Sequence, residues 1–281
     1  MLNLSRSSVQ IWLHTPTVLV MAVDPSPVAL DAEKISAAIS NYWRVIATPE
    51  TTSTQNDLSH RARNGRARSG DICVTEYQSA GRGRLDRTFI APKKSALLFS
   101  IFLEPKRGSN HWGLLSLIAS ISVHGAISKV GEISNVTIKW PNDILIDEKK
   151  CAGLLSEVVA TDKGLGVIIG IGINVDMNSE QLPVPTATSL GIESPLVIDR
   201  NLLLSEIINR FEAYYRRWES AADREILSDY LPLSSTIGRD IEVTMADGQV
   251  VAANAQGLTT SGQLVLASGQ IISVGDVRHL R

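Results

Sequence analysis

Val136-Thr137-Ile138-Lys139-Trp140-Pro141-Asn142-Asp143-Ile144-Leu145-Ile146-Asp147 holds two short β-prone runs, Val136–Trp140 and Ile144–Asp147, around a Pro-Asn-Asp turn signal. Toward the C-terminus, runs at Leu154–Val159 and Gly166–Ile173 continue the series. Toward the N-terminus, Asp71–Tyr77 and Ser95–Leu103 read the same way. Helical periods interrupt these runs. Leu30, Ile35, Ala38, Ile39 and Trp43 recur at helical spacing within Ala29–Trp43, with Asp31 and Glu33 in the first turn. Trp112–Val130 is a strongly apolar helix. Asp199 is a plausible N-cap for a long helix to Glu219, with an apolar stripe at Leu203, Ile207, Phe211 and Tyr214. Strands and helices mixed in this way predict an α/β (α+β) domain in which helices pack on a central mixed sheet.

After Pro232 the helical period disappears, Gly becomes frequent and β runs follow at Asp240–Met245, Val250–Leu258, Gln263–Ala267 and Gln270–Val274. Asp247-Gly248 marks a hairpin, since both central positions of a type I′ turn need positive φ. The chain is therefore read as an irregular leader over 1–26, a large domain over 27–232 and a small β unit over 233–281, with the boundary near Leu231–Ser235.

Composition narrows the function classes. With 281 residues, 44% hydrophobic and 20% charged, the chain reads as globular, and a formal net charge of −2 gives no global field for nucleic acid or an anionic membrane. Thr17–Val23 is apolar but far short of the roughly 20 residues of a membrane span. Cys73 and Cys151 lack metal-ligand spacing and read as reduced thiols of a cytoplasmic enzyme. Phosphate chemistry, if present, has to be local.

Four sequence islands carry such chemistry. Gly81 and Gly83 in Glu76-Tyr77-Gln78-Ser79-Ala80-Gly81-Arg82-Gly83-Arg84-Leu85-Asp86-Arg87 permit close backbone approach, and the arginines offer forked donors for carboxylate or phosphate. Read alone, this is equally an exposed basic loop, as are Arg61, Arg63, Arg66 and Arg68 upstream. No Walker-type loop is present. Lys139, Asn142 and Asp143, followed by Lys149-Lys150-Cys151-Ala152-Gly153, can hold phosphate oxygens and Mg²⁺, or form a simple turn. Gly170-Ile171-Gly172-Ile173-Asn174 is a strand with room for a ligand, or plain core. Thr51-Thr52-Ser53-Thr54-Gln55-Asn56 is a hydroxyl-rich run or a helix N-cap.

Ser53-Thr54-Gln55, Gly81-Arg82-Gly83-Arg84, Lys139-Trp140-Pro141-Asn142-Asp143 with Lys150-Cys151-Ala152-Gly153, and Gly170-Ile171-Gly172-Ile173-Asn174 resemble, in order, the signatures of biotin–protein ligases. The resemblance spans about residues 45–280. It implies a catalytic domain like that of class II aminoacyl-tRNA synthetases followed by an SH3-like β-barrel. It further implies ATP and biotin as substrates with Mg²⁺, adenylation of biotin, and transfer to a lysine on the carrier domain of an acyl-CoA or pyruvate carboxylase. The family pattern places Ser53, Thr54, Gln55, Gln78, Gly81, Gly83 and Gly153 at biotin. Arg82, Arg84 and Lys150 become the catalytic cations on its carboxylate. Arg84, Arg87, Phe89, Lys139, Asn142, Asp143 and Asn174 fall at nucleotide, with Asp143 and Asn174 toward the metal.

Two positions depart from the pattern: Asp86 stands where glycine is usual, beside an anion-binding loop, and Phe89 where Trp is common. The nearest enzymatic rival is a lipoate–protein ligase. Repressor members carry an added N-terminal winged helix, and the residues before Thr48 contain no Arg- or Lys-rich recognition helix, so specific DNA binding is not expected. A third reading, the C-terminal unit as a peptide-binding module, meets a lack of aromatics after Tyr230. Monomer and homodimer both remain open.

Overall fold

The computed structural model describes residues 28–84, 87–245 and 247–280; the leader expected over 1–26 and the departure at Asp86 lie outside the described residues. A seven-stranded sheet forms the centre. Its strands are β1 (Arg44–Thr48), β2 (Asp71–Thr75), β3 (Ala96–Leu103), β4 (Val136–Lys139), β5 (Asp143–Ile146), β6 (Lys149–Thr161) and β7 (Gly164–Asn174), in the order β1-β2-β3-β7-β6-β5-β4. β1 and β2 are parallel and the remaining pairs antiparallel, so the sheet is mixed. β2 and β3 are buried at every residue, which is why their sequences run apolar without alternation.

The helices are α1 (Ala32–Ala37), α2 (Thr54–Arg63), α3 (Gly113–Val130), α4 (Leu190–Glu193), α5 (Arg200–Glu219) and α6 (Asp223–Tyr230). α3 is long and apolar enough to cross a membrane, but most of it is buried. It is apolar all round because one core joins its Leu114, Ile118 and Ile121 to Leu203, Ile207 and Phe211 of α5. The expected N-cap of α5 is observed, with Asp199 Oδ1 accepting from the Asn201 N–H at 2.8 Å.

The second unit is an antiparallel sheet in the order β11-β10-β9-β8-β12, built from β8 (Asp240–Thr244), β9 (Val250–Leu258), β10 (Leu264–Leu266), β11 (Ile271–Ile272) and β12 (Asp276–His279). This arrangement is compatible with an SH3-like domain. It docks on the Trp140-Pro141-Asn142 turn between β4 and β5. The Trp140 backbone N–H donates to Thr236 Oγ1 at 3.0 Å and the indole N–H to the Gly262 carbonyl at 3.1 Å.

Several local expectations change. The first helix is only Ala32–Ala37: Asp31 fixes its start by accepting from the N–H groups of Glu33 and Lys34, and the Ala38 N–H closes its last turn on the Ile35 carbonyl. Of the upstream arginines, Arg61 and Arg68 are not merely solvated. With Arg44 they surround Asp71, whose side chain is fully buried. That cluster also explains β1, a strand the apolar pattern misses. The Asp247-Gly248 hairpin forms, with positive φ at Gly248 and the Met245 N–H donating to the Gln249 carbonyl. Two consecutive positive-φ residues of a tight hairpin also occur at Asp147 and Glu148, between β5 and β6.

Candidate active site

The floor of the cleft is backbone. Gly153 of β6 lies directly opposite Gly172 of β7, and Gly170 pairs with Leu155 on one side and Ser100 of β3 on the other. A Cβ on Gly170 would lie 2.1 Å from Gln55 Oε1, and one on Gly172 would lie 2.9 Å from the Phe89 ring. Glycine there admits two side chains that close the cleft, rather than serving plain core packing.

One end is polar. Ser53 occupies the N-cap position of α2, yet its hydroxyl makes no capping hydrogen bond, and it faces the cleft. Thr54 donates through its backbone N–H (2.8 Å) and hydroxyl (3.1 Å) to Gln78 Oε1, and Thr54 Oγ1 shares a 2.8 Å hydrogen bond with Ser100 Oγ. Locking the Gln78 carbonyl in this way turns its amide N–H₂ into the group left to donate.

The other end is ionic. Lys150 Nζ lies 2.6 Å from Asp143 Oδ1, over Gly153, whose missing Cβ leaves space for the ammonium. Arg82 pairs with Glu157 through both terminal nitrogens, and Arg87 with Asp276 likewise. Burial would raise the Asp276 carboxyl, but the hydrogen bond and charge of Arg87 outweigh it and hold the group below its ordinary value. Arg84 differs. It donates to Asn142 Oδ1 at 2.8 Å and to the Gly275 carbonyl at 3.1 Å, both neutral. Burial lowers its pKa, opposed by the more distant charges of Asp143 and Asp276. Among the described residues lining the cleft, Arg84 is thus the cation without a carboxylate in contact.

Most sequence-predicted residues converge on this cleft: Ser53, Thr54, Gln55 and Gln78 at the polar end, and Arg84, Arg87, Asn142, Asp143 and Lys150 at the ionic end. Gly83 and Phe89 cover it. Gly81 lies behind, closing the loop by accepting from the Phe89 N–H at 3.0 Å. Lys139 and Asn174 line the adjoining groove instead. The Asn174 side-chain N–H₂ donates to the Thr188 carbonyl at 2.9 Å, which orients its carbonyl oxygen. Ser100, Glu157 and Asp276 were not found by sequence reasoning. Each stands alone in an ordinary β run, so only three-dimensional pairing reveals them.

The profile of the biotin/lipoate A/B protein ligase family matches residues 47–174. Over 89% of this chain and 94% of its own length, a biotin–[acetyl-CoA-carboxylase] ligase of Mycobacterium tuberculosis is 32% identical. A bifunctional ligase/repressor of Salmonella typhimurium is 31% identical over 88% of this chain and 77% of its own length. Among solved structures, the biotin protein ligase of Aquifex aeolicus in complex with biotin and ATP superposes with a TM-score of 0.72 at 26% identity, covering 84% of this chain and 98% of that one. With the signatures gathered around one cleft on a shared fold, the chain belongs to the biotin–protein ligase family.

Proposed function

We propose that the cleft seats biotin with its ureido head at Ser53, Thr54 and Gln78 and its carboxylate at Arg84 and Lys150, while ATP extends over Arg87 and Phe89 toward Lys139 and Asn174. The chain is a ligase of the biotin–protein type. The observation that carries this placement is the charge pattern among the described residues: Arg82, Arg87 and Lys150 each meet a carboxylate there, while Arg84 is held by neutral acceptors. A half-buried guanidinium held by neutral acceptors keeps its charge available to an arriving anion. The neutral ureido group, by contrast, needs matched donors and acceptors, which the Thr54–Gln78 end supplies.

Chemistry follows in two displacements. A biotin carboxylate oxygen attacks the α-phosphorus of ATP; the new C–O–P bond forms as the bond to pyrophosphate breaks. Lys150, drawn from Asp143 to the incoming carboxylate, neutralises charge where the anions would otherwise repel. A carrier lysine amine then attacks the acyl carbon, AMP leaves, and the amide forms with loss of the amine proton. Positioning and charge neutralisation supply most of the acceleration.

Among the described residues no group of three or more His, Cys, Asp or Glu could hold a metal by itself. Asp143 and the oriented carbonyl oxygen of Asn174 nevertheless suit Mg²⁺ carried in on nucleotide phosphates, since such an ion needs one or two protein oxygens beside phosphate and water. Bound there, it would neutralise phosphate charge.

We take the acceptor to be the biotin carrier domain of an acyl-CoA or pyruvate carboxylase, and the compartment the cytoplasm, supported by two buried, unpaired cysteines. Incubation with ATP, Mg²⁺, labelled biotin and a carrier domain tests the reading: label should appear on the carrier lysine. Labelling with lipoate in place of biotin would overturn it.

A further inference from the structure

Glu157 lies on β6 and does not line the cleft; it lines a neighbouring groove beside Asn56, His60 and Arg63. From there it reaches two residues that do. It accepts from Gln55 Nε2 at 2.8 Å, and from both terminal nitrogens of Arg82 at 2.9 and 2.5 Å. The Arg82 fork is therefore occupied in a bidentate carboxylate pair. Its third contact, Asn56 Oδ1 at 3.3 Å, lies on the same side. Gln55 is equally constrained, since its carbonyl oxygen fits against β7 only because residue 170 lacks a Cβ.

We propose that Glu157 is a positioning residue for the biotin end of the cleft. Through Arg82 it ties the Gly81–Gly83 backbone to the central sheet, and through Gln55 it orients an amide beside Thr54. This rests on reading the cleft as the biotin site. Arg82 acts here as the anchor of the loop, and Arg84 as the fork that meets the ligand's anion.

Preorganisation is the physical reason. The pair is 41% exposed at Arg82 and 34% at Glu157, and pairs so exposed add little to global stability. Holding a segment flanked by two glycines is different, because glycine loses more conformational freedom on ordering than any other residue. Without Glu157 that ordering falls on ligand binding and weakens it.

Titration of biotin into wild type, Glu157→Gln, Arg82→Ala and the double variant tests this. Glu157→Gln keeps an acceptor for Gln55 and removes the charge that grips Arg82. It should raise the biotin Kd about tenfold, the range for a lost charge-assisted hydrogen-bond pair, without shifting the melting temperature or the KM for ATP. On the Arg82→Ala background the same substitution should add no further loss. A Kd within twofold of wild type, an equal loss on both backgrounds, or a fall in melting temperature accompanying the weaker binding would overturn the proposal. If wild type itself fails to bind biotin, the reading of the cleft falls instead.

Discussion

Arg87 and Asp276 join the two sheets: the guanidinium beside the central sheet reaches both carboxylate oxygens of the first residue of β12, at 3.4 and 2.5 Å. Gly275, the preceding residue, accepts from Arg84. The small C-terminal unit thus supplies acceptors to the site. Asp276→Asn should raise the KM for ATP several-fold and leave biotin binding unchanged. The carboxyl is held below its ordinary 3.8, so its contribution is complete above that pH and is lost only as pH falls through the lower folded value. A pH profile between 6 and 8 should therefore be the same in variant and wild type.

Lys150→Ala should lower the rate of adenylate formation at least about a hundredfold, the scale of one lost charge-stabilising donor. Circular dichroism should be unchanged, since Lys150 is a partly exposed side chain in a strand. Pyrophosphate release at the wild-type rate would refute its role.

Arg200 is only 1% exposed and donates to Glu76 Oε2 at 2.6 Å, while Glu76 Oε1 accepts from the Leu30 N–H. Removing one partner of a buried pair leaves the other uncompensated. Arg200→Ala should destabilise the fold by about 3–5 kcal/mol in urea denaturation, with Glu76→Gln milder. Because Glu76 lies two residues before Gln78, the loss of Arg200 should also weaken biotin binding in whatever fraction remains folded.

His124 and His279 both titrate below their ordinary 6.5, burial being the larger cause in each. Val136 O opposes this at His124; Lys139 and Arg239 reinforce it at His279. A depressed pKa means that the unfolded chain binds protons first, so stability is full above about pH 6.5 and declines as pH falls toward the folded values. The melting temperature should fall between pH 7 and 5, with a flatter slope in His124→Gln.

Gly81→Ala should be the more damaging substitution of the loop glycines, because its Cβ would lie 2.3 Å from the Phe89 backbone oxygen, whereas at Gly83 the nearest atom is 3.1 Å away. The biotin Kd should rise more for Gly81→Ala than for Gly83→Ala, and equal effects would refute the asymmetry.

The helices and buried strands were legible because their burial writes a period or an apolar run into the chain, as at Leu203, Ile207 and Phe211 or throughout Ala96–Leu103. The cleft residues were legible by chemistry and order: Gly-Arg-Gly-Arg, Lys-Trp-Pro-Asn-Asp and Gly-Ile-Gly-Ile-Asn come together around the cleft and its adjoining groove. What stayed hidden is pairwise. β1 carries a burial pattern without a buried run, because its edge is held by Arg44 on Asp71. Glu157 and Asp276 have no local signature, since their meaning lies in partners 75 and 189 residues away. Arg82 illustrates the same limit: it lines the cleft, while its fork is held by Glu157, a partner that no local pattern marks.

The opposed Gly153 and Gly172, with Gly170 beside them, set the depth of the cleft by atoms that are missing. Glycine is already the smallest residue, so mutation can only make this floor shallower. A variant enlarged for a bulkier cofactor analogue cannot be reached by trimming side chains there. Room for extra atoms has to come from the walls, at Phe89, Gln55 or Leu155, or from the loop above, which makes the floor a fixed gauge and the rim the adjustable part.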